Sequence, residues 1–142
     1  MRYAALLSQV ILGLAFFVLG LNGLLPSLGL LEGPFIPLPP MEGAAADYMG
    51  TLSSSGILLW VKIVEVVGGA LMLASLFLKR YAPLATALLA PVVVNILLFH
   101  LLLTPLADAV LAIVLTLATL VLIYYYWEHF RPLFEPHIPP GH

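Results

Sequence analysis

The sequence contains no cysteine. That excludes disulfides, thiol–disulfide exchange on this chain, and cysteine-ligated metal or iron–sulfur centres. Charge is nearly as scarce: Lys, Arg, Asp and Glu make up 8% of the 142 residues, and the net charge is −2. Without a basic stripe to neutralise phosphates, a nucleic-acid partner is not expected. The patterns of soluble enzymes are also missing, with no phosphate-binding glycine loop, no nucleophile elbow and no zincin-type histidine pair. His100 is the only histidine at membrane depth, so two-histidine haem ligation lacks a second partner, and neither haem nor a metal is expected.

Hydrophobic residues are present in excess. They form 63% of the chain, and the mean hydropathy is +1.13. A soluble domain of this size cannot bury that much apolar side chain, so the chain reads as an integral membrane protein. About 20 helical residues cross roughly 30 Å of hydrocarbon, and four apolar runs are long enough, approximately 4–25, 57–78, 82–103 and 106–127. The expected fold is all-α, a polytopic membrane four-helix bundle forming a single domain over 1–142, with an outer loop at 26–55 and a cytoplasmic tail at 128–142. The first run is too long and too poorly cleavable for a signal peptide and reads as a retained span closed by Pro26.

Five prolines and no Lys or Arg mark the 26–55 loop, which places it outside. Met41, Ala45, Met49 and Leu52 recur at helical intervals and predict a short amphipathic helix lying at the outer surface or folded over the bundle mouth. The loop reads either as a functional lid or as an extended spacer. Ser53-Ser54-Ser55-Gly56 offers N-cap chemistry for the second span. Arg2, Lys79, Arg80 and Arg131 all fall on one face, so the positive-inside rule places both termini in the cytoplasm. Such one-sided bias argues against a dual-topology transporter.

The second span carries Lys62 and Glu65 inside the membrane. A Lys or Asp at the centre of a spanning helix costs roughly 2.5–3.5 kcal/mol, so such groups face a bundle interior or a wet cavity and find partners. Three residues apart, Lys62 and Glu65 share a helical face, and Gly68 and Gly69 one turn later permit close approach of a neighbouring helix. In the third span Pro91 predicts a kink, and Asn95 and His100 follow on its outer half. Asn22 ends the first span and can bond a neighbouring helix or cap its own with water. Together Asn22, His100, Asn95, Lys62 and Glu65 form a candidate polar pocket open toward the outside, although Asn95 and His100, five positions apart, are separated by about 140° around an ideal helix. Asp108 suits the dipole of the fourth helix, Thr116 and Thr119 can bond their own backbone, and Tyr124-Tyr125-Tyr126-Trp127 reads as an interfacial aromatic belt. The tail from Pro132 onward reads as an extended segment.

The order of these features resembles the DoxX family. The resemblance spans nearly the whole chain and rests on Gly20-Leu21-Asn22-Gly23, the run Val61-Lys62-Ile63-Val64-Glu65-Val66-Val67-Gly68-Gly69, the basic turn, and Ala90-Pro91-Val92-Val93-Val94-Asn95 through Phe99-His100. It implies a small four-helix protein of the bacterial inner (plasma) membrane, from a family named for a terminal-oxidase and thiosulfate:quinone oxidoreductase subunit. Two roles are then open. One is a non-catalytic accessory or assembly subunit in contact with membrane lipids and a larger membrane complex or further copies of itself. The other is an oxidoreductase subunit in which a quinone or similar amphiphile docks at the polar pocket, Lys62 donating to its oxygen and Glu65 or His100 relaying a proton. A roomy, wet cavity around Lys62 and Glu65 favours the quinone role; a dry, close-packed pair bonded to Asn95 favours the accessory one.

Overall fold

A computed structural model describes residues 1–135. Six α-helices follow in order: α1 (Arg2–Ser27), α2 (Gly43–Ser54), α3 (Ile57–Ala74), α4 (Tyr81–Leu103), α5 (Val110–Tyr125) and the single turn α6 (Trp127–Phe130). Short 3-10 turns at Leu106–Ala109 and Arg131–Phe134 precede α5 and follow α6. Four elements are long and apolar enough to cross a membrane: α1, α3, α4, and α5 with its leading turn. They form an all-α bundle compatible with a multi-pass membrane protein. In cross-section α1 lies beside α3 and α5, and α4 closes the ring between them. We call the end with the N-terminus and the α3–α4 turn the basic end, and the opposite one the loop end.

Spacing of apolar residues explains which faces turn inward. Leu12 and Phe16 of α1, Met72 of α3, Leu89 and Val93 of α4, and Leu115 and Leu122 of α5 fill the interior. The outward residues, such as Leu7, Leu14, Leu98, Leu117 and Leu120, are equally apolar, as expected where lipid rather than water is the surrounding solvent. Burial is uneven: 39% of the apolar window of α1 is buried against 17% of that of α4, so α1 is the most enclosed span and α4 the most peripheral.

Close approach at glycines of both helices joins α1 to α3. A Cβ at Gly69 of α3 would collide with the backbone N of Phe17, and one at Gly20 of α1 would lie 3.0 Å from both the Glu65 Cβ and the Val66 N. These glycines let two helices approach closely and gain dispersion contacts in lipid, where the hydrophobic effect contributes little to helix association. Gly13 against Leu73, Gly20 against Val66 and Gly23 against Lys62 fix the antiparallel register.

Element ends depart from the sequence expectation at several points. Helix α1 continues through Pro26 to Ser27, because proline near the last turn costs one N–H bond only and the Ser27 hydroxyl donates to the Gly23 carbonyl at 2.7 Å. Helix α3 stops at Ala74, short of residue 78: Leu76 and Phe77 donate to Leu73 and Ala74, tightening the chain into turns. The serines before α3 do not cap it through a strong side-chain bond. Ser54 and Ser55 return their hydroxyls to Thr51 and Leu52 of α2, and Gly56, at φ 78°, makes the reversal. Helix α4 runs unbroken from Tyr81 to Leu103 through Pro91. Asp108 lies in the 3-10 turn ahead of α5, while Thr116 and Thr119 bond back to Ala112 and Leu115 as expected. The start of the tail is wound, with Pro132 in the first turn of its 3-10 segment and Trp127 stacked on Phe134 at 5.6 Å; the rest of the expected extended tail, 136–142, lies outside the described residues.

Candidate functional site

Lys62 and Glu65 form a direct ion pair, Nζ to Oε2 at 2.7 Å. Glu65 is 3% exposed, whereas the Lys62 side chain retains 20%. Their surroundings come from α1. The aliphatic stem of Lys62 lies where a Cβ of Gly23 would be, 2.7 Å from its Cε, and Gly20 faces the Cβ of Glu65. Lysine thus uses its methylenes to pack on a glycine and its amine to neutralise the carboxylate. Since α3 begins at Ile57, Lys62 lies about 8 Å and Glu65 about 12 Å along it. Glu65 is thus close to the midpoint of α3, and Lys62 lies about one turn from it toward the loop end.

The other three candidates have separate partners. Asn22, 2% exposed, accepts from the Ile36 N–H at 2.7 Å and donates to the Ile36 carbonyl at 3.0 Å. Its amide imitates a neighbouring strand and ties the long loop to the end of α1, which is neither the helix-to-helix bond nor the water cap expected for it. Asn95 is exposed and accepts from the Tyr48 hydroxyl at 2.8 Å, and Tyr48 also leans on Phe99 with ring centroids 5.6 Å apart. Asn95 therefore latches α2 onto α4 from outside the bundle. Its distance of about 12 Å from the end of α4 matches the depth of Glu65. His100 Nδ1 lies 3.1 Å from the Thr104 hydroxyl in the next turn, and Thr104 also bonds the His100 carbonyl. Among the described residues, no hydrogen bond joins Asn22, Asn95 or His100 to Lys62 or Glu65. The expected column thus resolves into four local arrangements.

Helix α2 packs against α3 and α4 on the loop-end half of the bundle. Ala45 is buried and Met41, Met49 and Leu52 are half-buried, while Asp47, Thr51 and Ser53 are exposed. Ala45, Met49 and Leu52 of the predicted apolar stripe therefore form the docked face, while Met41 precedes the helix, which begins at Gly43.

A second polar cluster, which the residue-type argument passed over, occupies the basic end. Gln9 Nε2 donates to Ser75 Oγ at 2.9 Å and, more weakly, to the Tyr126 hydroxyl at 3.4 Å; Ser75 Oγ donates to the Met72 carbonyl at 2.6 Å. Gln9 and Ser75 are 5% and 1% exposed. Burial, reinforced by Tyr125, raises the Tyr126 phenol above the ordinary range, and the bond from Gln9 opposes it, so the group stays neutral at physiological pH. The available signal was polarity alone: Gln9 and Ser75 are uncharged residues within apolar runs, and only the fold brings them together from α1 and the α3–α4 turn. Among the described residues no buried side-chain nitrogen or oxygen lacks a partner, and no group of acidic residues and histidines could hold a metal. Compared with protein-family models, curated proteins and solved structures, the chain matches none.

Proposed function

We propose that this chain is a non-catalytic accessory or assembly subunit of a larger membrane complex. The observation that carries the reading is the closed Lys62–Glu65 pair, packed against Gly20 and Gly23 and bonded to itself. A group that relays protons or grips a quinone oxygen needs an open donor and a path. Here the carboxylate is enclosed and bonded to Lys62, so the pair offsets the cost of its own burial and packs in the α1–α3 seam, and Asn22, Asn95 and His100 each hold a local element. The pair is not bonded to Asn95, so support comes from its closure and packing alone. The redox or energy-transducing character of the parent complex, and placement in a bacterial inner membrane with the basic end in the cytoplasm, rest on the resemblance to the DoxX family and on the distribution of Arg2, Lys79, Arg80 and Arg131.

The test is purification in native lipid nanodiscs followed by intact-complex mass spectrometry with lipid extraction. The expected result is larger membrane subunits in fixed stoichiometry, retained when Lys62→Met and Glu65→Leu are combined in one folded variant. A quinone bound in fixed stoichiometry and lost in that variant would overturn the accessory reading in favour of an oxidoreductase subunit. Phospholipid retained by both proteins belongs to a different place on the molecule.

A further inference from the structure

A cavity of about 340 Å³ opens at the basic end, between the start of α1, the α3–α4 turn and the end of α5. Arg2 and Lys79 stand at its rim, both exposed. Among the described residues neither is ion-paired: the two ion pairs are Lys62–Glu65 and Arg131–Glu135. Among the described residues no carboxylate lines the cavity. Its floor is the buried Gln9–Ser75 pair with the Tyr126 hydroxyl beside it, and that hydroxyl accepts from Gln9 and donates to no other described residue. Leu6 and Leu76 supply apolar walls. Next in sequence to these walls, Leu7 and Phe77 are apolar surface, 61% and 88% exposed.

From this arrangement we propose that the basic-end cavity is a binding site for the phosphate group of an anionic amphiphile, with Arg2 and Lys79 holding the phosphate, the Tyr126 hydroxyl donating to one of its oxygens, and the Gln9 carbonyl oxygen accepting from a hydroxyl of the adjoining headgroup. Two cations converge from separate elements on a space where, among the described residues, neither is ion-paired and no carboxylate competes. Phosphate oxygens accept several charge-assisted hydrogen bonds and match a guanidinium together with an ammonium. Basic pockets between spans at a membrane interface recognise lipid headgroups through this chemistry. The volume is in the range of a small-ligand site, and the neighbouring Leu7 and Phe77 leave an apolar path for acyl chains. Neither Lys62 nor Glu65 takes part, so this site stands or falls independently of the accessory role.

The same phosphate chemistry could come from a phospholipid or from a soluble phosphate ester, and the experiment separates them. Delipidated protein is titrated with phosphatidylglycerol, with phosphatidylcholine and with inorganic phosphate, and adducts are counted by native mass spectrometry. One phosphatidylglycerol is expected to be retained preferentially over phosphatidylcholine. Arg2→Gln with Lys79→Gln should weaken it roughly tenfold or more, from the loss of two interfacial cations. Gln9→Leu should weaken it further still. Arg80→Gln with Arg131→Gln removes the same charge from the same end outside the cavity and should change binding much less. Because Arg2 and Lys79 are exposed, their substitution leaves the packed interior untouched, so a folding failure of Gln9→Leu does not remove the test. Saturable inorganic phosphate binding lost with Arg2 and Lys79, without lipid preference, would assign the site to a soluble ester. Equal weakening by the two double variants, or no saturable binding of either phosphate source, overturns the proposal.

Discussion

At the scale of single residues, the structure assigns unequal roles to two opposite charges. Lys62 keeps 20% of its side chain accessible and lies about 8 Å from the start of α3, so after loss of its partner its amine can turn toward the interface. Glu65, at 3% exposure, has no such exit. Lys62→Met is therefore expected to destabilise by about 3–5 kcal/mol, the usual cost of stranding a buried charge, Glu65→Leu by clearly less, and the double variant to be close to neutral. Reversible unfolding in mixed micelles gives the order; a costlier Glu65→Leu would mean that lysine is the trapped charge. Glycines supply a second contrast. Gly69→Ala drives a methyl group into the Phe17 backbone, which cannot swing aside as a side chain can, and should cost about 1–3 kcal/mol. Gly50→Ala, in α2 with open space around it, should gain about 0.5–1 kcal/mol from helix propensity. Equal effects at the two positions in the same unfolding assay would refute the close α1–α3 approach.

At the scale of elements, the loop end depends on two small polar attachments. Asn22 clasps both backbone groups of Ile36, and Asn95 holds Tyr48 of α2. Each hydrogen bond contributes about 1 kcal/mol net, enough to order a loop that has few other contacts but small beside the packing of four spans. Asn22→Leu should raise amide hydrogen exchange across 28–42 while leaving the exchange of α1, α3 and α5 unchanged. If protection is lost throughout the bundle, Asn22 belongs to the core fold. The helix stripe on α2 was legible in its sequence because Ala45, Met49 and Leu52 follow the helical period, although the period extended to Met41 overran the start of the helix at Gly43. Its attachment through Tyr48 to Asn95 was not, because a tyrosine in a polar loop and an asparagine in an apolar span carry no mutual periodic signal. The overextended end assigned to α3 has a similar origin: Phe77 and Leu78 are as apolar as the helix before them, and hydropathy alone does not register the turn made by Leu76 and Phe77.

At the scale of the whole molecule, the up-and-down bundle brings the N-terminus, the α3–α4 turn and the end of α5 to one end, where Gln9 meets both Ser75 and Tyr126. The orientation proposed from Arg2, Lys79, Arg80 and Arg131 can be checked without background, because the natural chain contains no cysteine. Gly33→Cys in the long loop should react with a membrane-impermeant maleimide added to intact cells, and Leu78→Cys only after the membrane is opened; the reverse pattern would invert the topology. The helical class, the four spans and the one-sided basic charge were determined by the sequence itself, since lipid demands long apolar helices with internally satisfied backbones and those requirements are written residue by residue. The presence of an ion pair was also local, because Lys62 and Glu65 share one helical face. Only the tertiary structure decided that this pair packs against Gly20 and Gly23, that Asn22 and Asn95 hold the loop and α2 instead of joining the pair, and that Gln9, Ser75, Arg2 and Lys79 converge on a cavity. Those outcomes depend on contacts between residues far apart in the chain, and therefore on helix rotation and register, which packing fixes and a single helix's periodicity leaves undetermined.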